Sequence, residues 1–272
     1  MNKNILSRNI ILMDCLDVLA RACLKKNIDL IVLKGGSLLL SGVFKLGERE
    51  MTDEDILLKE EDEASFKEIL ELNHFAQMPN SSDAYFKMIG KNAPPLIIDI
   101  HKKMLHVKDI KEIWQSKIIS PLEKNPNLFI LNYEDVFLHL IAHNLLHHGS
   151  FPDKAKKDLI EFLKWIKANK NSNSFLRIAA EKSRYYKLNS VIYYPLKEIF
   201  KSRPDLLDER SLVLFRLKGM EKIKRYFLKT PLSNIRLFWN IFFPFYIARR
   251  LFWDIFFRQR NLWKEDMVKI IY

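Results

Sequence analysis

Apolar positions near the start of the chain recur at the spacing of an α-helix, which predicts a helix over residues 5–26. The short apolar run over residues 29–33 that follows predicts a buried strand. The same reasoning predicts further strands over 53–58, 84–89 and 96–101, and a helix over 60–73. Because strands alternate with helices, this half of the chain is predicted to be an α/β domain.

The pattern becomes helical after about residue 108. Asn132 is a typical N-cap and is followed by acidic residues in the first turn, Glu134 and Asp135. Helices are predicted over 133–148, 153–169 and 174–187, with breaks at Pro195 and Pro204. We therefore divide the chain into an α/β domain over 1–107, a helical domain over 108–231 and a C-terminal extension over 232–272.

Three aspartates on the predicted strands form a candidate metal site. Asp53 and Asp55 are two positions apart, and side chains two apart on a strand point to the same face. Asp99 lies on another strand among apolar neighbours, where a carboxylate needs a partner. Converging carboxylates favour Mg²⁺, which prefers oxygen ligands. The alternative is a solvated acidic turn.

The motifs around these aspartates resemble a known family. A Lys34-Gly35-Gly36-Ser37 segment follows the first strand, then Gly47 and Arg49, then Asp53 and Asp55, and later Asp99 and His101. This ordered set, within about residues 30–160, is similar to the polymerase-beta-like nucleotidyltransferase superfamily, and within it to an uncharacterised bacterial nucleotidyltransferase-like family. The resemblance implies an α/β fold, with a small mixed-sheet nucleotidyltransferase domain followed by an all-helical domain.

The resemblance also implies a reaction and a role for each motif. Asp53, Asp55 and Asp99 would be the catalytic residues and would hold two Mg²⁺ ions. The triphosphate of ATP or another NTP would be bound by residues of the loop and the following turn, namely Lys34, Gly35, Gly36, Ser37 and Arg49. For Arg49, bracing of the loop is the alternative role. The reaction would transfer a nucleoside monophosphate to a hydroxyl of an unknown acceptor, either a small molecule or a protein. Glu54 departs from the family pattern, which has an apolar residue between the first two aspartates.

Three other functions stay open. The first is an antitoxin-like nucleotidyltransferase that modifies a partner protein, and the second is an inactive member that binds nucleotide. The third is an interaction protein of the membrane surface. Two cysteines without metal-ligand spacing, Cys15 and Cys23, indicate a reduced, cytoplasmic protein.

His139, His143 and His147 recur every four residues on one predicted helix, with His148 beside them. A zinc site is one interpretation, but the glutamate of the H-E-x-x-H motif is absent. Three ligands spread over two helical turns rarely reach one ion. Structural histidines with satisfied hydrogen bonds are the leading interpretation. The family resemblance implies, as another interpretation, that this helix faces the nucleotide cleft or packs between the domains.

The net charge of +12 is concentrated at the C-terminus. Residues 200–272 hold 16 basic and 7 acidic residues, whereas residues 1–199 hold 29 and 26. Eleven aromatic residues fall within 238–263, interleaved with arginines, but the longest uncharged run is twelve residues and contains Pro244. A membrane-spanning helix needs about 20 apolar residues. We expect residues 232–263 to form two helices that dock on the protein, with peripheral membrane contact or a macromolecular partner as alternatives.

Overall fold

The structure is a computed structural model, and it describes residues 3–90, 93–104, 110–119 and 125–216. The predicted helices of the C-terminal extension, residues 232–272, lie outside the described residues.

Seven strands are present in the described residues. They are β1 (Leu30–Val32), β2 (Glu54–Leu57), β3 (Ala76–Gln77), β4 (Ala84–Lys87), β5 (Leu96–His101), β6 (Ile118–Ile119) and β7 (Leu128–Ile130). The helices in chain order are α1 (Lys3–Leu24), α2 (Lys34–Leu40), α3 (Glu63–Leu72), α4 (Lys111–Ser116), α5 (Tyr133–His147), α6 (Asp153–Asn169), α7 (Ser172–Tyr185), α8 (Asn189–Ser202) and α9 (Glu209–Leu214).

The strands form a single mixed sheet in the order β3-β4-β5-β2-β1-β7-β6. The pairs β1–β7 and β2–β5 are parallel, and the other neighbours are antiparallel. Every residue of β1 and β2 is buried, as expected for central strands covered on both faces. The mixed sheet followed by helices confirms the predicted fold class.

The helical half is built around α5, which packs against α6, α7 and α8. Asn132 caps α5 as predicted, because its side chain accepts a hydrogen bond from the Asp135 N–H at 2.9 Å. Phe137 of α5 is fully buried against the rings of Phe175 and Phe215. α5 also packs against α2, so this helix joins the helical half to the sheet.

Two features differ from the sequence prediction. The sheet takes β6 and β7 from beyond residue 107, in the segment that was expected to be helical. These strands have only two and three residues, too few to show a period, and β7 is stabilised by pairing with distant β1. The predicted break at Pro195 is also wrong, since Pro195 lies inside α8. Buried Ile192, Leu196 and Ile199 hold that helix in place on both sides of the proline.

Among the helices of the described ranges, none combines the length and the apolar sequence that a membrane-spanning segment needs.

Candidate active site

The predicted aspartates lie on two neighbouring parallel strands. β2 and β5 pair in a register that sets Asp55 directly beside Asp99. Side chains at paired positions of neighbouring strands point to the same face of the sheet. Asp53 comes immediately before β2, and the two-residue period directs its side chain to the same face as that of Asp55.

A cleft of about 210 Å³ lies over this part of the sheet. From the sheet half it is lined by residues that include Lys34, Gly35, Arg49, Asp53 and Asp55. From the helical half it is lined by His143, Asn144, His148, Lys154 and Asp158, among others. The cleft therefore lies between the two halves of the protein, with carboxylates on its floor.

The carboxylate of Asp55 is buried but has two cationic or hydrogen-bonding partners. Lys34 Nζ lies 2.5 Å from Asp55 Oδ1, and His101 Nε2 lies 2.7 Å from the same oxygen. Burial by itself raises the pKa of Asp55, but the hydrogen bond from His101 and the charge of Lys34 outweigh it, so the pKa is lowered. Asp55 is thus held as an anion.

Asp99 has the opposite shift. Its pKa is raised, first by burial and then by the negative charges of Asp55 and Asp53. The nearby charges of His101 and Lys34 only partly offset this effect. The carboxylate face of the sheet therefore carries more negative charge than its protein partners neutralise, and a bound cation would relieve the repulsion.

The carboxylates of the three aspartates do not converge on a single position in this structure. In the described part of the chain, one group of three His, Cys, Asp or Glu residues offers ligand atoms all within 4.8 Å of one another, and it consists of histidines. Asp53 Oδ1 accepts a hydrogen bond from Thr52 Oγ1 at 2.8 Å, while Asp55 Oδ1 is bound to Lys34 and His101. To bind one ion together, these aspartate side chains would have to rotate away from their present hydrogen-bond partners.

Glu54 lies on the far side of the strand from the aspartates. It is fully buried beneath α2, where a Cβ added at Gly36 would collide with its carboxyl group. Its pKa is raised well above the usual value by burial and by the charges of Asp55 and Asp53. The departure from the family motif therefore adds a buried acid under α2 and leaves the cleft side of β2 to the aspartates.

The turn between β1 and α2 brings part of the predicted phosphate-binding segment to the cleft. Lys34 adopts φ 44°, a left-handed conformation that is uncommon for residues other than glycine and that often marks a functional site. Gly35 also lines the cleft, and a Cβ there would collide with the guanidinium of Arg49. The first N–H groups of a helix lack intrahelical acceptors, and Lys34 and Gly35, which begin α2, both line the cleft.

Ser37 is placed differently from the prediction. Its side chain is fully buried, its hydroxyl donates to the Lys34 carbonyl at 2.7 Å, and its N–H donates to the Leu33 carbonyl at 3.2 Å. Gly36 is buried against Glu54 and Val32. Ser37 thus stabilises the turn from inside, and Gly36 permits close packing between α2 and β2.

Arg49 has a protein partner that the sequence did not identify. Its guanidinium donates two hydrogen bonds to the carboxylate of Asp158 on α6, at 2.9 and 2.8 Å. The Arg49 side chain is 12% exposed and that of Asp158 is 8% exposed. This bidentate pair braces the loop before β2 against the helical half.

Arg8 is a further residue that positions the site. The guanidinium of Arg8 on α1 donates to the backbone carbonyls that precede β2 and β5, those of Met51, Thr52, Pro94 and Pro95. No periodic signal marks an arginine for this role. His101 did carry a signal, because it is two residues after Asp99 and so shares its face of β5.

Solved structures of other proteins resemble this one in part. A crystal structure of ANT(2'')-Ia in complex with adenylyl-2''-tobramycin has a TM-score of 0.44 at 15% identity and covers 63% of this chain and 97% of that chain. A solution structure of the antibiotic-resistance factor ANT(2'')-Ia has a TM-score of 0.44 at 16% identity, covering 67% and 95%. An antigenic nucleotidyltransferase-like protein from Paracoccidioides brasiliensis has a TM-score of 0.46 at 13% identity, covering 81% and 97%.

A comparison with curated protein sequences finds no match. The family described as "Uncharacterised nucleotidyltransferase" matches residues 1–194, which include α1, the whole sheet and the cleft-lining helices α5 and α6. This chain belongs to that nucleotidyltransferase family.

Proposed function

We propose that this protein transfers a nucleoside monophosphate from an NTP to an acceptor hydroxyl, using Mg²⁺ held by Asp53, Asp55 and Asp99. The observation that carries this proposal is the direct pairing of Asp55 with Asp99 across β2 and β5, next to a cleft lined by Lys34 and Gly35. Membership of the nucleotidyltransferase family supports the reaction class.

The donor chemistry fits Mg²⁺. The three side chains offer only carboxylate oxygens, which are the ligands this ion prefers. Asp55 already binds cationic or proton-bearing groups from Lys34 and His101 at 2.5 and 2.7 Å. When bound there, Mg²⁺ would neutralise charge on the triphosphate and lower the pKa of the acceptor hydroxyl.

The remaining groups of the cleft bind and position the substrates in this proposal. Lys34 leaves Asp55 when the NTP arrives and binds an oxygen of the triphosphate, so it exchanges one anionic partner for another. The N–H of Gly35 binds the same phosphates in this proposal, because Gly35 lines the cleft next to Lys34. Asp99, which is paired with Asp55 across the sheet, accepts the proton of the acceptor hydroxyl in this proposal.

Arg49 has a bracing role in this proposal. Its charge is already neutralised by two hydrogen bonds to Asp158, so it fixes the loop that leads into Asp53. The acceptor is a small molecule or a protein with a free hydroxyl.

The experiment measures Mg²⁺-dependent binding of each of the four NTPs to the full chain by calorimetry, and then pyrophosphate release with candidate acceptors. Asp55→Asn and Asp99→Asn should reduce turnover by on the order of a thousandfold, since each removes several kcal/mol of charge stabilisation. Asp14→Asn is the matched control, because Asp14 is exposed on α1 and away from the cleft. NTP binding that is unchanged in Asp55→Asn and independent of Mg²⁺ would refute the proposal.

A further inference from the structure

The C-terminal end of α5 carries a compact group of three histidines, His143, His147 and His148. His143 and His147 are one helical turn apart, and their rings stack with centroids 5.1 Å apart and planes inclined by 12°. The His148 ring lies 5.1 Å from the His143 ring and 4.7 Å from the His147 ring. One ring nitrogen from each residue lies within 4.8 Å of the other two.

This group differs from the one that the sequence pattern suggested. His139 shares the helical face but is 4% exposed and lies deeper between the packed helices. His148 follows the last residue of α5, and the chain there turns so that its ring meets those of His143 and His147. Ligands spread over two helical turns rarely reach one ion, which excludes His139 from the group. His148 is not excluded, because its ring contacts those of His143 and His147.

Two of the three histidines face the cleft. His143 and His148 both line the same cavity as Asp53 and Asp55. His147 and His148 are exposed, and His143 is partly buried. An ion bound by the three rings would therefore have its remaining coordination positions open to the space where substrates enter.

The electrostatic setting keeps the imidazoles available as ligands. Burial, with a smaller contribution from the charge of Lys34, lowers the pKa of His143 to about 3. Burial and then the neighbouring His148 lower the pKa of His147 as well. Both rings are neutral near pH 7, which is the form that binds a metal. The charge of Lys34 is itself paired with Asp55, so its repulsion of an incoming cation is reduced.

We propose that His143, His147 and His148 form a binding site for a divalent transition-metal ion, with Zn²⁺ as the ion that this ligand set favours. Three imidazoles suit Zn²⁺ and other first-row ions, whereas the carboxylates across the cleft suit Mg²⁺. Small ring rotations would bring the nitrogens to the Zn–N distance of about 2.0–2.1 Å. The open position takes water or an oxygen of the acceptor, as in zinc sites with three protein ligands.

The test titrates the untagged full chain with Zn²⁺ against a chromophoric chelator, in excess Mg²⁺ so that the carboxylates are occupied. We expect one Zn²⁺ per chain, and an affinity that falls by at least about a hundredfold in the His147→Ala, His148→Ala double variant. Both substituted side chains are exposed, so the fold should survive. His74→Asn is the matched control, because His74 lies outside the cleft and asparagine tolerates its φ of 64°.

A second measurement does not depend on any variant. Co²⁺ added to the wild-type chain should give visible absorption bands of a nitrogen-coordinated ion, and Zn²⁺ should displace them. Loss of Zn²⁺ binding in the double variant together with these bands supports the site. Wild-type chain that binds no Zn²⁺, or a double variant that binds it as tightly as the wild type, overturns the proposal. Neither outcome depends on nucleotidyl transfer, because binding is measured without an NTP.

Discussion

At the scale of single residues, Glu54 is the least expected side chain of the protein. It stands between two aspartates on β2 but points away from them, and it is completely buried. Neither of its carboxyl oxygens has a hydrogen-bond partner among the described residues. A buried carboxyl group without partners is stable only in its neutral form, which is why its pKa is raised well above 4.5.

This raised pKa predicts that Glu54 makes the protein less stable as the pH rises. Above the usual pKa of 4.5, the unfolded chain releases the proton of Glu54 while the folded protein retains it. The folded state then binds more protons, so stability falls with pH, by at most about 1.4 kcal/mol per unit for one group. Glu54→Gln removes this titration. We therefore expect the unfolding free energy of Glu54→Gln, relative to that of the wild type, to increase as the pH is raised from about 5 to about 8.

Chemical denaturation of both proteins at a series of pH values measures this difference. Glu71→Gln is the control, because Glu71 is exposed at the end of α3. Parallel pH profiles for the wild type and Glu54→Gln would show that Glu54 is ionised in the folded protein.

At the scale of elements, prediction from the sequence succeeded where one local period decides the structure. α1, α3, α5 and α6 were found within a few residues of their observed ends, and so were the strands that carry the aspartates. The same reasoning failed for β6 and β7, which are too short to show a period and exist because of pairing. It also failed at Pro195, where packing of α8 outweighs the local preference of proline.

Arg8 shows how one element positions another. From α1 it donates four hydrogen bonds to backbone carbonyls, two before β2 and two before β5, at 2.7 to 3.1 Å. These two segments lead into the strands of Asp55 and Asp99. The arginine therefore fixes the starts of both strands relative to each other. It thereby also fixes the position of the Asp55 carboxylate relative to that of Asp99.

Arg8→Met should loosen the two strand starts while it keeps the length of the side chain. We expect a loss of about 2 kcal/mol in unfolding free energy, since the lost hydrogen bonds come from a charged group that is partly buried. Mg²⁺-dependent NTP binding should weaken as well. Arg21→Met is the matched control on the same helix, because Arg21 is largely exposed and its ion pair is with Asp17 in the preceding turn of α1. Equal stability losses for the two variants would contradict the role given to Arg8.

At the scale of the whole molecule, the site depends on contacts between residues far apart in the chain. Asp53 and Asp55 were identifiable from the strand period, and the resemblance supplied Asp99 with a role. No local pattern could identify Asp158 as the partner of Arg49, because 109 positions separate them. The family resemblance implied that the histidine helix faces the cleft, but no local pattern showed that His143 and His148 line it together with Asp53 and Asp55. Such pairings follow from how α5 and α6 pack onto the sheet, which is decided by the core as a whole.

The Arg49–Asp158 pair predicts strong energetic coupling between the two halves. Both side chains are nearly buried and form two hydrogen bonds with each other, so removal of one leaves an uncompensated charge in the interior. Arg49→Met and Asp158→Asn should each cost about 3–5 kcal/mol of unfolding free energy. The double variant should cost clearly less than the two single losses combined, because no unpaired charge remains.

Denaturant unfolding of the four proteins in this cycle measures the coupling free energy directly. The same cycle on Arg203 and Asp205 is the control, since that pair is solvent-exposed at the end of α8 and should show no measurable coupling. If the losses for Arg49 and Asp158 simply add, the pair is not the brace between sheet and helices. In that case Arg49 is free to contact the triphosphate, as the family resemblance implied, and NTP binding should also fall in Arg49→Met.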